Sequence, residues 1–163
     1  MSIILSSNDV IVTKASLNDL DQQSAVVRLI NDYRTDPMGG RLPAMSGDEE
    51  VKLISLLRCH PFCHLFLAAI DRRFVGLIVS FVTISTFQAK PLLNVHDLIV
   101  TEKFRRQGVG KQLLAEAKEF ARSRGCCRMT LEVRTDNPGA RSLYRSIGFM
   151  PCDPSMDFWR LEL

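Results

Sequence analysis

The sequence predicts a single α/β (α+β) domain over residues 1–163, with a mixed central sheet flanked by helices in the order βααβββαβαβ. Three observations support this fold class. A chain of 163 residues is the usual length of one domain. Its 46% hydrophobic and 24% charged residues are typical of a globular protein. Short apolar runs rich in β-branched residues alternate with stretches of helical spacing, which indicates helices packed on a sheet.

The first predicted elements are a strand and two helices. Residues 9–15, DVIVTKA, alternate weakly as a strand does, and residues 16–34 show helical spacing behind Ser16, which can cap a helix. Ser46 stands three residues before Glu49, the capping-box pattern, so a second helix is predicted over residues 46–58.

Three strands are predicted next. Residues 66–70 and 74–84 are apolar and rich in β-branched side chains, and the charged turn at 71–73 between them indicates a hairpin. Residues 92–100, LLNVHDLIV, predict a further strand.

The remaining elements are two helices and two strands. An apolar stripe predicts a helix from Gly108 to Gly125, and residues 128–134 alternate cleanly as a strand. An Asn-Pro pair opens a predicted helix over residues 137–148, and residues 156–163, MDFWRLEL, predict the final strand.

Charge and cysteine usage narrow the class of protein. Residues 101–145 carry 11 Lys and Arg against 5 Asp and Glu, so this stretch has a net charge of +6 in a chain of net charge +3. Such a field suits a phosphate-bearing ligand, although a solvated basic helix face is an alternative. The first residues lack a basic region and have only a three-residue apolar run before Ser6, so we expect no signal peptide. With an odd count of 5 cysteines and no long apolar span, we expect a cytoplasmic protein without membrane contact.

The sequence RRQGVGK at residues 105–111 lies between a predicted strand and a predicted helix. It is not a P-loop, because Gly108 and Gly110 are too close together and Gln112 follows Lys111. It is not a Rossmann fingerprint either, because Leu113 occupies the third glycine position. A glycine turn before a helix still offers unpaired N–H groups to an anion, so we predict a phosphate site. Glycines that only ease the turn are the alternative.

Two motifs of the chain resemble those of the GNAT superfamily of N-acyltransferases. Arg105, Gly108 and Gly110 match its acyl-CoA signature, [QR]-x-x-G-x-[GA]. Residues 137–149 resemble its second block, N-x-x-A-x-x-x-Y-x-x-x-G-F, and include Tyr144. The resemblance covers most of the chain and is least at residues 34–64, which it implies to be acceptor-binding.

The resemblance implies a GNAT-like fold and an N-acetyltransferase that uses acetyl-CoA as co-substrate, without a metal. The turn would hold the pyrophosphate of coenzyme A, and the pantetheine arm would pair with the strand edge near Ile99 and Val100. The implied cofactor-binding residues are Leu98, Ile99, Val100, Arg105, Arg106, Gln107, Gly108, Val109, Gly110, Lys111, Asn137 and Tyr144. For Asn137, N-capping is an equal alternative.

Direct attack of a primary amine on the thioester in a ternary complex needs a base, an oxyanion partner and an acid. Histidine is the usual general base of enzymes at neutral pH, so His96 is the first candidate base, with Asp97 or a water chain behind it. In a regular strand these two side chains face opposite sides, so we expect at most one to reach the acceptor. The N–H near Ile99 is expected to donate a hydrogen bond to the oxyanion.

Tyr144 matches the family tyrosine that protonates the leaving thiolate. Structural hydrogen bonding is the alternative for His96 and Asp97, and core packing for Tyr144.

Other readings carry less weight. The cluster CHPFCH at residues 59–64 lacks the two separated ligand pairs of structural zinc sites, so we expect no metal. Cys126 or Cys127 could in principle carry a covalent acyl group, but nothing in the sequence indicates one. The alternative function is an acyl-CoA-binding regulatory module without turnover. We expect a small-molecule or protein amine as partner and no nucleic acid, since one Trp and two Tyr offer few stacking surfaces. Homodimerisation stays open.

Overall fold

The computed structural model describes residues 9–163 of the chain. The apolar run before Ser6, on which the expected absence of a signal peptide rests, lies outside the described residues. The described residues divide into two compact units, of which the first ends at Glu132 and the second spans Val133–Leu163. Each unit is described by itself below.

The first unit is built around a five-stranded sheet with the strand order β1-β2-β3-β4-β5. The first three neighbour pairs are antiparallel, whereas β4 and β5 are parallel. This mixed sheet with flanking helices confirms the predicted α+β class. The elements are β1 (Ile11–Lys14), α1 (Leu20–Thr35), α2 (Gly47–Cys59), β2 (Cys63–Ile70), β3 (Arg73–Ser85), β4 (Lys90–Val100), a 3-10 turn (Glu102–Phe104), α3 (Val109–Ser123) and β5 (Met129–Leu131).

The sheet separates two layers of helices. On one face, α1 and α2 bury Leu29 and Ile54 against β-strand side chains that include Leu77, Val79 and Ile99. On the other face, α3 packs against β3 through Val109 and Leu113, whose methyl groups lie next to Gly76. Side chains alternate along a strand, so neighbouring residues of β3 and β4 face different helix layers. This alternation decides which side chains can share a site.

Local sequence signals explain most element boundaries. Asp71 and Arg72 form a two-residue turn with φ of 48° and 63°, which joins β2 and β3 as the predicted hairpin. The capping box of Ser46 and Glu49 is present at α2, as predicted. The predicted cap Ser16 is wrong, because the N-cap of α1 is Asp19, whose carboxylate accepts from the N–H groups of Asp21 and Gln22. Asp19 is the cap because α1 begins at Leu20, three residues later than a cap at Ser16 predicts.

The second unit contains α4 (Pro138–Ile147), which ends at Gly148 with φ of 105°. The predicted final strand over residues 156–163 is not formed in the structure, where this segment has neither helix nor strand. A strand needs a partner for its backbone groups, and alternation alone does not supply one. Phe158, Trp159 and Leu161 are accordingly exposed. The strand predicted over residues 128–134 is also shorter than expected, since β5 contains Met129–Leu131 only.

None of the helices among residues 9–163 is both long and apolar enough to cross a membrane.

Candidate functional site

The edge of β4 that faces β5 is open beyond Val95. The two strands pair from Leu93 with Met129 to Val95 with Leu131, where β5 ends. Within the described part of the first unit, residues 96–100 therefore have a strand neighbour on one side only, which is β3. A strand edge of this kind can accept an extended ligand by backbone hydrogen bonding.

Alternation along β4 determines which backbone groups point to the open edge. The N–H of Thr101 donates to the carbonyl of Val75 across the antiparallel pair, at 2.9 Å. Every second residue of β4 bonds to β3 in the same way, so Ile99 also directs its backbone groups to β3. The groups of Leu98 and Val100 point to the open edge. The outward N–H groups nearest to Ile99, where an oxyanion partner is predicted, are therefore those of Leu98 and Val100.

A β-bulge lies at the start of this open segment. Val79 of β3 pairs with Asp97, whereas its neighbour Ser80 pairs with Val95, so His96 is the extra residue of β4. The expectation that His96 and Asp97 face opposite sides assumed a regular strand, and the bulge overturns it. Asp97 lies opposite Val79, on the face covered by α1 and α2. The imidazole of His96 lies on the same face, in edge contact with Phe81 at a centroid distance of 5.6 Å.

His96 and Asp97 differ in their surroundings. His96 is exposed, whereas Asp97 is partly buried. Burial raises the pKa of the Asp97 carboxyl above its ordinary value, and the nearby charge of His96 lowers it in part. A carboxyl group with a raised pKa beside an accessible imidazole is an arrangement suited to proton transfer.

The turn after β4 ends in a helix start without a side-chain cap. The chain passes through a 3-10 turn, then Arg106 with φ of 62°, then Gly108 with φ of 85°. Gly108 is the N-cap of α3 and provides no side-chain hydrogen bond. The first bond of the helix runs from the N–H of Gln112 to the carbonyl of Gly108, at 3.0 Å. The N–H groups of residues 109–111 precede that bond and are oriented along the helix axis, where an anion can bind them.

The side chains of the turn have separate roles. Arg106, Gly108 and Lys111 are exposed, so their charges and backbone groups are accessible to a ligand. The amide of Gln107 donates to the carbonyl of Lys103 at 2.8 Å and stabilises the turn. The guanidinium of Arg105 forms an ion pair with Asp36 and donates to the carbonyl of Val100 at 3.0 Å. Arg105, which is predicted as a cofactor ligand, thus also links the turn to Asp36 and to the end of β4.

Gly76 determines how closely α3 approaches the sheet. A Cβ atom at this position would lie 2.9 Å from both Leu113 Cδ1 and Val109 Cγ1, and 3.2 Å from the carbonyl oxygen of Ile99. A larger residue would therefore require the side chains of Val109 and Leu113 to shift. The sequence analysis missed the packing role of Gly76, although a lone glycine within an apolar strand indicates that another segment packs closely against the strand backbone.

Two further predicted residues belong to the second unit. Asn137 is the N-cap of α4, and its Oδ1 accepts from the N–H of Ala140 at 3.0 Å. Tyr144 lies on α4, half-buried, with its ring 5.9 Å from that of Phe149 in edge contact. The alternative roles given for these residues, packing for Tyr144 and N-capping for Asn137, are therefore both observed within this unit.

The cysteine and histidine cluster at residues 59–64 spans the end of α2 and the start of β2. Cys59 is exposed, whereas burial raises the pKa of the Cys63 thiol to about 11. His60 contacts Phe81 and His64 contacts Phe120, at centroid distances of 4.8 and 4.5 Å. Among residues 9–163 no group of three or more His, Cys, Asp and Glu side chains has a metal-binding arrangement.

Comparison with known proteins identifies sequence relatives over part of the chain. N-alpha-acetyltransferase RimI of Mycobacterium tuberculosis is 38% identical over 89 residues, which are 53% of this chain and 54% of that protein. An uncharacterised N-acetyltransferase of Bacillus subtilis, YhfO, is 32% identical over 85 residues, which are 52% of this chain and 57% of that protein. An uncharacterised protein of Mycobacterium leprae is 49% identical over 56 residues, 34% of this chain and 15% of that protein. The matched segments therefore span at most 57% of these relatives' own length.

Solved structures resemble the fold over 94% or more of the chain. An aminoglycoside acetyltransferase from an uncultured soil metagenomic sample, in complex with sisomicin, has a TM-score of 0.78 at 21% identity and covers 94% of this chain and 97% of its own. An aminoglycoside N-acetyltransferase in complex with CoA has a TM-score of 0.77 at 15% identity and covers 99% of this chain and 100% of its own. At such low identity these likenesses show the shared fold.

The family model described as the Acetyltransferase (GNAT) family matches residues 26–149, which include β4, the uncapped turn and α4. The chain belongs to the GNAT acetyltransferase family.

Proposed function

We propose that this protein is an N-acetyltransferase that transfers the acetyl group of acetyl-CoA to a primary amine by direct attack in a ternary complex. The observation that carries the proposal is the continuity of the open β4 edge with the uncapped start of α3. One short stretch of chain thus offers an extended backbone edge and then a phosphate-binding helix end. Coenzyme A has the matching parts, an amide-containing pantetheine arm and a pyrophosphate.

In the proposed complex, the backbone N–H groups of residues 106–111 bind the pyrophosphate. The charges of Arg106 and Lys111 add electrostatic attraction, and the positive end of the α3 dipole adds to it. The pantetheine amides pair with the outward backbone groups of Leu98 and Val100. The thioester carbonyl then lies near the bulge, where one of these N–H groups stabilises the oxyanion.

The bulge provides the proposed acid-base groups. A primary amine with a pKa near ~10.4 is mostly protonated at neutral pH and has to lose a proton before it attacks. His96 takes this proton, with Asp97 behind it on the same face of the sheet. The amine nitrogen then bonds to the thioester carbon and releases its second proton to solvent, and the oxyanion collapses with cleavage of the carbon–sulfur bond. The products are an N-acetylated amine and a coenzyme A thiolate, which Tyr144 protonates.

A covalent acyl-enzyme is not part of the proposal. Burial raises the pKa of the Cys126 thiol, and the adjacent Cys127 raises it further, against a smaller opposing effect of Arg124. A thiol with a raised pKa is a poor nucleophile at neutral pH. Direct attack by the amine therefore remains the preferred route.

The acceptor class follows from the relatives by analogy. RimI is named an N-alpha-acetyltransferase, and a shorter match is a streptothricin acetyltransferase of Streptomyces lavendulae, 34% identical over 77 residues. We therefore propose the primary amine of a small molecule or of a protein N-terminus as the acceptor.

The test is to incubate the purified protein with acetyl-CoA and matched sets of peptide N-termini, aminoglycosides, polyamines and amino acids, while following free thiol and product mass. We expect one set to release thiol together with an acetylated product. Measurable acetyl-CoA binding without turnover of any amine would instead favour the regulatory module. Absence of binding would contradict both functions.

The role of Tyr144 has its own test. We expect Tyr144→Phe to lower turnover by about ten- to a hundredfold at saturating acetyl-CoA, because the thiolate loses its proton donor but is already a fair leaving group. The binding affinity for acetyl-CoA should not change. Steady-state kinetics with the acceptor identified above measure the effect, and unchanged turnover would remove this role from Tyr144.

A further inference from the structure

Asp36 lies at the end of α1 and contacts Arg105 of the phosphate turn, the segment at residues 105–111 where we propose that the pyrophosphate binds. It is the C-cap of α1, and its side chain is only 14% exposed. One carboxylate oxygen accepts from the N–H of Met38 at 2.7 Å, and the other accepts from the guanidinium of Arg105. Burial alone raises the pKa of Asp36, but the hydrogen bonds from Arg105 and Met38 and the charge of Arg105 outweigh it and leave the pKa below its ordinary value. The carboxylate is therefore held ionised by its two neighbours.

The partner of Asp36 also contacts the open strand edge. Arg105 donates through Nε to the carbonyl of Val100, the last residue of β4, at 3.0 Å. Val100 directs its backbone to the open edge, and Arg105 stands immediately before the turn that contains Arg106 and Gly108. A planar guanidinium that bonds two groups at once keeps them at a defined separation. Arg105 thus connects the turn and the end of β4 to Asp36 through direct contacts.

Asp36 also begins the connection between α1 and α2, residues 36–46. The N–H of Gly39 donates to the carbonyl of Asp36 at 2.9 Å, and the N–H of Leu42 donates to the carbonyl of Arg34 at 2.9 Å. A Cβ atom at Gly39 would lie 1.8 Å from the carbonyl oxygen of Tyr33, so the connection is folded tightly onto the last turn of α1. A shift of Asp36 would therefore move this connection.

We propose that Asp36 is a positioning residue that couples occupancy of the phosphate turn to the conformation of the connection at residues 36–46. The inference rests on the proposed function, in which the turn binds coenzyme A. Through Arg105 and Asp36, bound coenzyme A stabilises the connection in the conformation described here. By linkage, an acceptor that contacts the connection tightens coenzyme A binding to the same extent.

Hydrogen–deuterium exchange with coenzyme A as the probe tests the coupling without knowledge of the acceptor. In the wild-type protein, we expect saturating coenzyme A to slow amide exchange in peptides covering residues 36–46 by about five- to tenfold. In Asp36→Asn, measured at its own saturating concentration, we expect the slowing to fall below about twofold, because the neutral amide loses the ion pair. Slowing at residues 105–112 should persist in the variant.

Two further variants keep the test decisive. Asp32→Asn is the matched control, because Asp32 is a half-exposed carboxylate of the same helix paired with Arg28 at 3.6 Å, and its exchange response to coenzyme A should equal that of the wild type. If Asp36→Asn does not fold, Arg105→Lys replaces it, since an ammonium keeps the charge but lacks the planar fork that joins Val100 to Asp36.

The outcomes separate the two claims. Titration calorimetry that detects no coenzyme A binding to the wild type would contradict the proposed function and the inference together. Binding with no slowing at residues 36–46, or with equal slowing in the wild type and Asp36→Asn, would overturn the inference and leave the proposed function intact.

Discussion

The helices α2 and α3 both begin at exposed turns of the first unit, but their first N–H groups are satisfied in different ways. At α2, the hydroxyl of Ser46 accepts from the N–H of Glu49 at 3.3 Å, and the carboxylate of Glu49 accepts from the N–H of Ser46 at 2.8 Å. At α3, the N-cap is Gly108, which has no side chain to accept a hydrogen bond.

The starts of α2 and α3 also differ in charge. The first turn of α2 contains Asp48, Glu49 and Glu50, whose negative charges oppose the positive end of the helix dipole. The first turn of α3 has no acidic residue and includes Lys111. A cation at this end is unfavourable for the isolated helix.

The difference teaches that residues of the chain supply both the hydrogen-bond acceptors and the negative charge at the start of α2, whereas the start of α3 has neither a side-chain cap nor an acidic residue in its first turn. Packing compensates for the missing cap, since Val109, Leu113 and Leu114 of α3 are almost fully buried. A bound pyrophosphate would satisfy both the free N–H groups and the excess positive charge. The start of α3 can bind an anion because its first N–H groups have no side-chain cap, whereas the capping box already occupies the equivalent groups of α2.

The largest expected effect tests the anion preference of α3. Gly108→Asp places a carboxylate where we propose that the pyrophosphate binds, and we expect acetyl-CoA affinity to fall about 100-fold or more because of charge repulsion. Gly108→Asn is the matched control, since Asn tolerates a positive φ and carries no charge, and we expect a loss of about tenfold or less. Titration calorimetry measures both. Equal losses would show that the backbone conformation, and not charge, limits binding.

The next effect concerns the packing that holds α3 in place. Gly76→Ala forces a methyl group against Val109, Leu113 and the Ile99 carbonyl, so we expect a loss of about 1–3 kcal/mol in the free energy of unfolding and weaker acetyl-CoA binding. Gly47→Ala at the first residue of α2 is the control, because nothing lies within 4 Å of the added methyl group. We expect its stability to change by no more than about 0.5 kcal/mol. Urea unfolding checks both variants, and a Gly76→Ala protein as stable as the wild type would contradict the close-packing argument.

A smaller effect is expected at the N-cap of α4, and it tests whether Asn137 only caps the helix, as Ser46 does at α2, or also binds the cofactor. Because Asn137 accepts from the N–H of Ala140, we expect Asn137→Ala to lower the free energy of unfolding by about 1 kcal/mol and to change acetyl-CoA affinity by less than about twofold. Ser46→Ala at α2 should give the same loss. A large decrease in acetyl-CoA affinity in Asn137→Ala alone would place this residue at the cofactor, as the family resemblance implies.

The smallest effect is the pH dependence of the α2 cap. The N–H and hydroxyl of Ser46 hold the pKa of Glu49 below its usual value, and the charge of Arg34 contributes in the same direction. A carboxylate with a lowered pKa stabilises the folded state above its unfolded pKa, and this contribution is lost as pH falls through the folded value. We expect Glu49→Gln to lower the Tm slightly at about pH 7 and to match the wild type near about pH 3. A constant Tm difference across this range would show that the charge of Glu49 has no role.

Much of the fold was predictable because its signals are local. The capping box at Ser46, the two-residue turn at Asp71 and the apolar stripe of α3 all depend on residues within a few positions of one another. The glycine turn before α3 was predictable for the same reason, since a strand, glycines and a helix start follow one another along the chain. The final strand over residues 156–163 was predicted from alternation alone, and that prediction was wrong because strand formation depends on a partner.

The sequence by itself thus determined the helices, most strands, the glycine turn before α3 and the family of this protein. Only the tertiary structure decided that a bulge turns His96 to the same face as Asp97, because one register shift against β3 redirects a side chain without any mark in local sequence. It also decided that Arg105 pairs with Asp36, 69 residues away along the chain. Such contacts depend on how distant segments pack, whereas periodicity and capping depend on neighbours in sequence.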